Sequence, residues 1–165
     1  MEADDFSLLL KYRLLSEPHE SLCKYQDVSE ELSNRIIRNR NQFRSFGQFC
    51  TLLKTKELTY SRISRGLLHI LLAVKKEDML RYRESSCIYT RILGFRKEHA
   101  DVLRQIKENA SIPVITKLGQ TDSLLPETIR MLDQTTFASD LYESVVSDKF
   151  GIPFINEYQK QIIHV

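Results

Sequence analysis

The stretch that most limits what this chain can become is Thr59–Leu72, TYSRISRGLLHILL. At about 100° per residue, Ile63, Leu67, Ile70 and Leu71, with Val74 just beyond, fall in one sector about 100° wide. Leu68 and Leu72 carry apolar surface round the other side, which leaves a narrow strip of Arg62, Arg65, Gly66 and His69. A helix that is apolar over most of its circumference has to be enclosed by other elements, so the fold must be built around this segment. The 165 residues are enough for one compact domain. Five Gly and four Pro leave few breaks, which favours helices over a many-turned β-fold.

Other helices follow from periodicity and capping. Asp4–Leu15 carries Phe6, Leu9, Leu10 and Leu14 at helical spacing, and Pro18 ends it. Asp27 with Glu30 reads as a capping box opening a helix whose apolar face holds Val28, Leu32, Ile36 and Phe43. Ser45 with Gln48 opens a short buried helix through Phe46, Phe49, Leu52 and Leu53. The middle of the chain changes character. Cys87–Phe95, CIYTRILGF, alternates and is β-branched, so it reads as a strand. Arg96–Asn109 reads as a helix with Val102, Leu103 and Ile106 inward, and Ile112–Leu118 as a second strand that starts at an edge because of Pro113. Strand, helix and strand at this length form a βαβ crossover, which implies a parallel pair. Pro126–Val146 is helical, and the tail Gln161–Val165 supplies a candidate third strand. The expected class is α+β and mostly α-helical: residues 1–165 as a single helical domain with a small two- or three-stranded sheet that includes the βαβ unit.

Charge is unevenly spread. Between Asn34 and Arg65 there are eight bases, Arg35, Arg38, Arg40, Arg44, Lys54, Lys56, Arg62 and Arg65, against one acid, Glu57, a net +7. The remainder holds 16 bases and 21 acids, a net −5. Such a block either solvates a helix face or meets a polyanion. Three cysteines, Cys23, Cys50 and Cys87, without a CxxC or a histidine at ligand spacing, speak against a disulfide scaffold and a zinc site. They read as free thiols in a reducing compartment. No apolar run approaches the ~20 residues that span a bilayer. The opening MEADDFSLLLKYRLL is acidic, lacks a cleavage-type site, and reads as a helix entered straight after the methionine of a shortened chain rather than as a signal peptide.

Catalytic signatures are missing. There is no GxxxxGK[ST], GxGxxG, GxSxG, HExxH or HxGH, and His19, His69, His99 and His164 are far apart in sequence. The remaining signal is basic residues interleaved with hydroxyls and aromatics, which suits nucleic-acid phosphates. Lys54, Lys56, Arg62 and Arg65 surround the start of the enclosed helix, whose free N–H groups and dipole also attract anions. Arg35 and Arg38 extend the set. Tyr60 either stacks on a base or is a half-buried core tyrosine. His69 on the strip is either a contact or a hydrogen-bonded structural residue. Arg91 and Lys117, on or near the two strands, are open between ligand contact and salt bridge.

Several of these segments, in this order, resemble the C-terminal part of the bacterial tRNA(Met) cytidine acetate ligases. The resemblance is carried by Asp5-Phe6-Ser7, Ser33-Asn34-Arg35-Ile36-Ile37, Lys54-Thr55-Lys56, Thr59-Tyr60-Ser61-Arg62-Ile63-Ser64-Arg65 and Leu67-Leu68-His69-Ile70-Leu71-Leu72. It continues through Tyr89-Thr90-Arg91-Ile92-Leu93-Gly94-Phe95 and Ile112-Pro113-Val114-Ile115-Thr116-Lys117-Leu118, so it covers nearly the whole chain. Glu57 departs from the pattern, which has a base there. The resemblance implies an enzyme related to HIGH-type nucleotidyltransferases. Such an enzyme uses ATP to make acetyl-adenylate and acetylates the wobble cytidine of elongator tRNA(Met). It further implies that ATP and magnesium belong to an N-terminal catalytic domain with an HxGH-type motif. This chain would then carry no catalytic, cofactor or metal residues. Its expected partners are tRNA and that N-terminal domain of the same polypeptide, with no membrane, in the cytoplasm. The expected role is tRNA binding through Lys54, Lys56, Tyr60, Arg62, Arg65, His69, Arg35, Arg38, Arg91 and Lys117. The alternative is an intramolecular interaction domain that packs on the catalytic domain, marked by an exposed apolar patch near Arg62 and Arg65.

Overall fold

The structure, a computed structural model, describes residues 1–85, 89–119 and 124–164. These residues group into two compact units, Met1–Arg81 and Tyr82–Val165, divided within one helix.

The first unit is helical. A 3-10 turn, Ala3–Phe6, leads into α1 (Ser7–Ser16), followed by α2 (His19–Leu22), α3 (Glu30–Asn39), α4 (Phe46–Leu53), α5 (Tyr60–Leu71) and the start of α6 (Lys76–Glu84). α5 is the enclosed helix that its sequence demands. Ile63, Leu67 and Ile70 are fully buried, and α1 and α4 pack on it. Leu10 and Leu14 of α1, Leu32 and Ile36 of α3, and Phe46, Phe49 and Leu53 of α4 complete the core. Phe43 and Phe49 meet at 5.0 Å between ring centroids, tilted by 56°. Ser45 caps α4 as expected, its side chain accepting from the Gln48 amide at 3.3 Å.

One capping assignment is overturned. The N-cap of α3 is Ser29, whose hydroxyl accepts from the Leu32 amide at 3.2 Å, and not Asp27. Val28 is pulled into the core and Ser29 is extended, so the helix starts two residues later than a cap at Asp27 would place it. Asp27 sits instead in the left-handed region, φ 59°.

In the second unit the strands are short. β1 (Thr90–Arg91) pairs in parallel with β3 (Val114–Ile115), in the register Thr90 to Val114 and Arg91 to Ile115. β2 (Gly94–Phe95) pairs in parallel with β4 (Ile163–His164). The crossover between β1 and β3 runs through a 3-10 turn, Lys97–His99, and α7 (Ala100–Asn109), so the expected parallel βαβ unit is present, and the tail does supply a further strand. The beginning of the expected first strand, 86–88, lies outside the described residues. Gly94 is required where it stands, because a Cβ there would lie 2.9 Å from the Ile163 carbonyl oxygen. α8 (Pro126–Phe150) outruns its expected end at residue 146 and stops at Gly151, which takes φ 65°. Ile115, Leu118 and Leu132 form a small core with Tyr89 and Leu124 against it.

The inward face assigned to α7 is also overturned. None of its residues is buried, and Val102 and Ile106 are 51% and 43% exposed. Amphipathic spacing marks which stripe of a helix can be buried, but of this one only Leu103 is covered, and in part.

Candidate nucleic-acid interface

The segment between α4 and α5 is pinned by one apolar side chain. Leu58 is buried, its amide donates to Thr55 Oγ1 at 2.9 Å, and its carbonyl accepts from the Thr55 amide at 3.1 Å. With Leu58 turned in, Lys54, Lys56 and Glu57 are turned out to solvent. Thr59 then caps α5, its hydroxyl facing the Arg62 amide at 3.4 Å. The first turn of α5 holds no acid. Arg62 projects from that turn, exposed. No described residue forms a salt bridge with Lys54, Lys56, Arg62 or Arg38. The N-terminus of α4 contrasts with this. There Ser7 Oγ accepts from the Phe46 amide at 2.9 Å, and the Asp4 carboxylate accepts from the Gly47 amide at 2.6 Å.

α3 brings Arg35 to the same place. Arg35 donates through Nε to the Leu53 carbonyl at 2.9 Å, closing the end of α4 right beside Lys54. Arg38, one turn further along α3, is exposed. Tyr60 is 43% exposed. Its hydroxyl lies where a Cβ on Gly47 would be 3.6 Å away, close to Asp4. Desolvation, Cys50 and the Asp4 carboxylate together raise its phenol above the ordinary value. Burial, with Asp4 adding to it, pushes the Cys50 thiol up to about 11. A thiol so rarely ionised is no nucleophile at neutral pH.

Further along the α5 strip, Arg65 and His69 turn towards the Asp27 turn. Arg65 Nε is 3.3 Å from Asp27 Oδ2, with the side chain 64% exposed. His69 Nδ1 is 3.6 Å from the same oxygen and 3.0 Å from the Gln26 carbonyl oxygen. A carbonyl can only accept, so Nδ1 carries the proton. Gly66, placed on the polar strip by its position, is in fact buried against this turn. A Cβ there would come 3.0 Å from Leu32 Cδ2 and 3.3 Å from the Asp27 carbonyl oxygen. Sequence reasoning missed Asp27, because an aspartate three residues before a glutamate looks like a cap and nothing in the pattern announces a left-handed turn.

Of the ten candidates, eight therefore belong to the first unit and two to the second. Arg91 is committed to its own unit: its Nη2 lies 2.6 Å from Glu157 Oε2, both side chains largely buried. Lys160 meets Glu157 at 2.7 Å and Glu143 at 3.3 Å. Burial alone would raise the Glu157 carboxyl, but hydrogen bonds and charge from Lys160 and Arg91 prevail and hold it below its ordinary value. Lys117 is exposed and lines an open cavity of 470 Å³ with Arg91, Leu93, Leu118 and Glu157. Among the described residues no group of three or more His, Cys, Asp or Glu is placed to hold a metal ion, and no helix is long and apolar enough to cross a membrane.

Comparison with known proteins gives this geometry its context. The family described as HIGH Nucleotidyl Transferase matches residues 1–152. A tRNA(Met) cytidine acetate ligase of Clostridium perfringens is 37% identical over 131 residues, 78% of this chain and 32% of that protein. One from Thermoanaerobacter sp. (strain X514) is 34% identical over 155 residues, 93% of this chain and 37% of that protein. The crystal structure of Thermotoga maritima TmcAL bound with alpha-thio ATP superimposes with a TM-score of 0.82 at 23% identity, over 98% of this chain and 41% of that one. The chain thus spans about a third of the length of these curated relatives, and the solved structure shares its fold.

Proposed function

This chain belongs to the HIGH nucleotidyl transferase family, and on that premise we propose that it is the tRNA-holding, C-terminal part of a cytoplasmic tRNA(Met) cytidine acetate ligase. In this reading ATP, magnesium and the making of acetyl-adenylate belong to an N-terminal part of the same polypeptide. Acetyl transfer to the wobble cytidine of elongator tRNA(Met) follows there. The residues here hold the RNA while that happens. The observation that carries the reading is the set of exposed bases without acidic partners, Lys54, Lys56 and Arg62, beside a first turn of α5 that itself holds no acid, with Arg35 of α3 reaching the end of α4 next to Lys54. Lysines and arginines so placed neutralise phosphates with little regard for sequence, so they fix where an RNA lies rather than which base is chosen. Arg91 plays no part, since its charge is spent on Glu157.

The test is salt-titrated binding of this chain to elongator tRNA(Met) and to an unrelated tRNA. Tight binding with a steep salt dependence is expected. Each phosphate contact contributes roughly 0.7–0.9 to the slope of log affinity against log salt. Replacing Lys54, Lys56, Arg62 and Arg65 together by Ala therefore flattens that slope by roughly three units. An unchanged slope would sink the reading. A second reading has its own observation: α1, which packs on α5, leaves Leu8, Tyr12 and Leu15 exposed along one stripe. That suits a surface covered by another part of the polypeptide, and it becomes the preferred role if the chain does not bind tRNA at low salt.

A further inference from the structure

We propose that Asp27 is a positioning residue for a phosphate site on RNA: its carboxylate pairs with the Arg65 guanidinium from the Nε side, at 3.3 Å, and so biases the terminal nitrogens towards one phosphodiester. The inference rests on the tRNA reading and adds a residue of the opposite sign to it.

The first support is the backbone. Asp27 adopts φ 59°, a region that costs an L-residue free energy and persists only where the surroundings fix it. They do so here from several directions. The Gln26 amide donates to the Val74 carbonyl at 2.9 Å, and the Lys76 amide to the Lys24 carbonyl at 2.9 Å. Lys76 Nζ donates to the carbonyls of Cys23 and Val28 at 2.7 and 2.9 Å. The turn is thus tied to the chain that leaves the far end of α5. From the other side, Gly66 lets α5 approach until only a hydrogen fits against Leu32 and the Asp27 carbonyl. The carboxylate ends up facing Arg65 and His69, one turn apart on the polar strip.

The second support is the sign of the charge. An acid beside a basic strip lowers the positive potential that draws in a polyanion, so at long range Asp27 works against binding. Whatever it adds must be local. Arg65 is 64% exposed, and none of the described residues hydrogen-bonds its terminal nitrogens. A free arginine there would lose much rotamer freedom on meeting a phosphate. Paired with the carboxylate on its Nε side, it has already lost part of that freedom on folding, and its terminal donors form the planar fork that matches two phosphate oxygens. His69, tied to the Gln26 carbonyl and close to the same carboxylate oxygen, walls the carboxylate in on its other side.

The experiment uses the whole chain and elongator tRNA(Met) at one low salt concentration. It compares Asp27→Gly, Arg65→Ala and the double variant, with Asp27→Asn as a second probe. Gly keeps the left-handed turn and removes the side chain, while Asn tolerates the same φ and keeps an acceptor without the charge. Positioning predicts that Asp27→Gly weakens binding by roughly two- to tenfold although it makes the protein more positive. Asp27→Asn should fall between it and the parent, and Asp27→Gly should cost nothing further once Arg65 is Ala. Equal or tighter binding by Asp27→Gly overturns the proposal and leaves the tRNA reading intact. An equal loss in the presence and absence of Arg65 also overturns it, by assigning Asp27 a purely structural role. If Arg65→Ala and the fourfold alanine variant both bind like the parent, the tRNA reading fails and this inference goes with it.

Discussion

Gly66 is the residue at which two demands on α5 meet. Its position places it between Arg65 and His69 on the polar strip, yet the structure buries it against the Asp27 turn. In an ordinary helix Gly→Ala gains about 1 kcal/mol. Here the new methyl would be 3.3 Å from a backbone oxygen that cannot swing aside and 3.0 Å from Leu32. Overpacking of that kind costs about 1–3 kcal/mol. Gly66→Ala is therefore expected to be net destabilising by about 1 kcal/mol, read as a lower denaturation midpoint at unchanged m-value. A stabilised variant would mean that the turn yields easily, and would weaken the case for a rigid Asp27. The sequence makes Gly66 look like a gap in a charged stripe. Close approach of two backbones leaves no periodic trace, so its purpose becomes visible only with the turn in place.

At the level of elements, the most legible parts were those whose burial is decided by their own pattern. α5 is apolar over most of its surface, so only one environment suits it, and Ser45 and Thr59 start their helices where their side chains can reach the third residue on. α7 departs from its pattern for the opposite reason. Its stripe of Val102, Leu103 and Ile106 is a request for a partner, and the described residues cover only Leu103, and that in part. The strands are shorter than their pattern suggests, because alternation runs through Tyr89–Phe95 whereas parallel hydrogen bonding engages only two residues at a time. A direct check on α7 is Val102→Ser with Ile106→Ser. Exposed sites change stability by about 0.5 kcal/mol or less, so the melting temperature of the chain should hardly move. A loss of about 2 kcal/mol or more would restore the inward face read from the sequence.

For the molecule as a whole, the two units are held by different means. Seventeen buried apolar residues lie in Met1–Arg81 and three in Tyr82–Val165, counting the described residues. With so little apolar core, the second unit leans on Glu157 and its cations. The Glu157 carboxyl titrates below its ordinary 4.5 in the fold, so its contribution is present above pH 4.5 and is lost as pH falls through the folded value. Lys160 is raised above its ordinary 10.5, so its share is present below that pH and is lost only as pH rises past the folded value. Melting curves between pH 3 and 7 should therefore show the second unit loosening on the acid side before the first. Glu157→Gln should lower its stability near pH 7 and remove much of that pH dependence. An unaltered acid limb would show that other carboxylates set it.

The uneven filling of the two halves also sets a clock for the bases. Amide protons in the later turns of α4 and α5, whose inward side chains Phe49, Leu53, Leu67 and Ile70 are fully buried, can trade with solvent only through the rarest openings of the chain. Those around β1 to β4 have thin cover and trade sooner. The spacing of the basic face therefore outlasts the frequent excursions of the second unit, and on the proposed tRNA reading an RNA arriving during one of them still meets the charges in place.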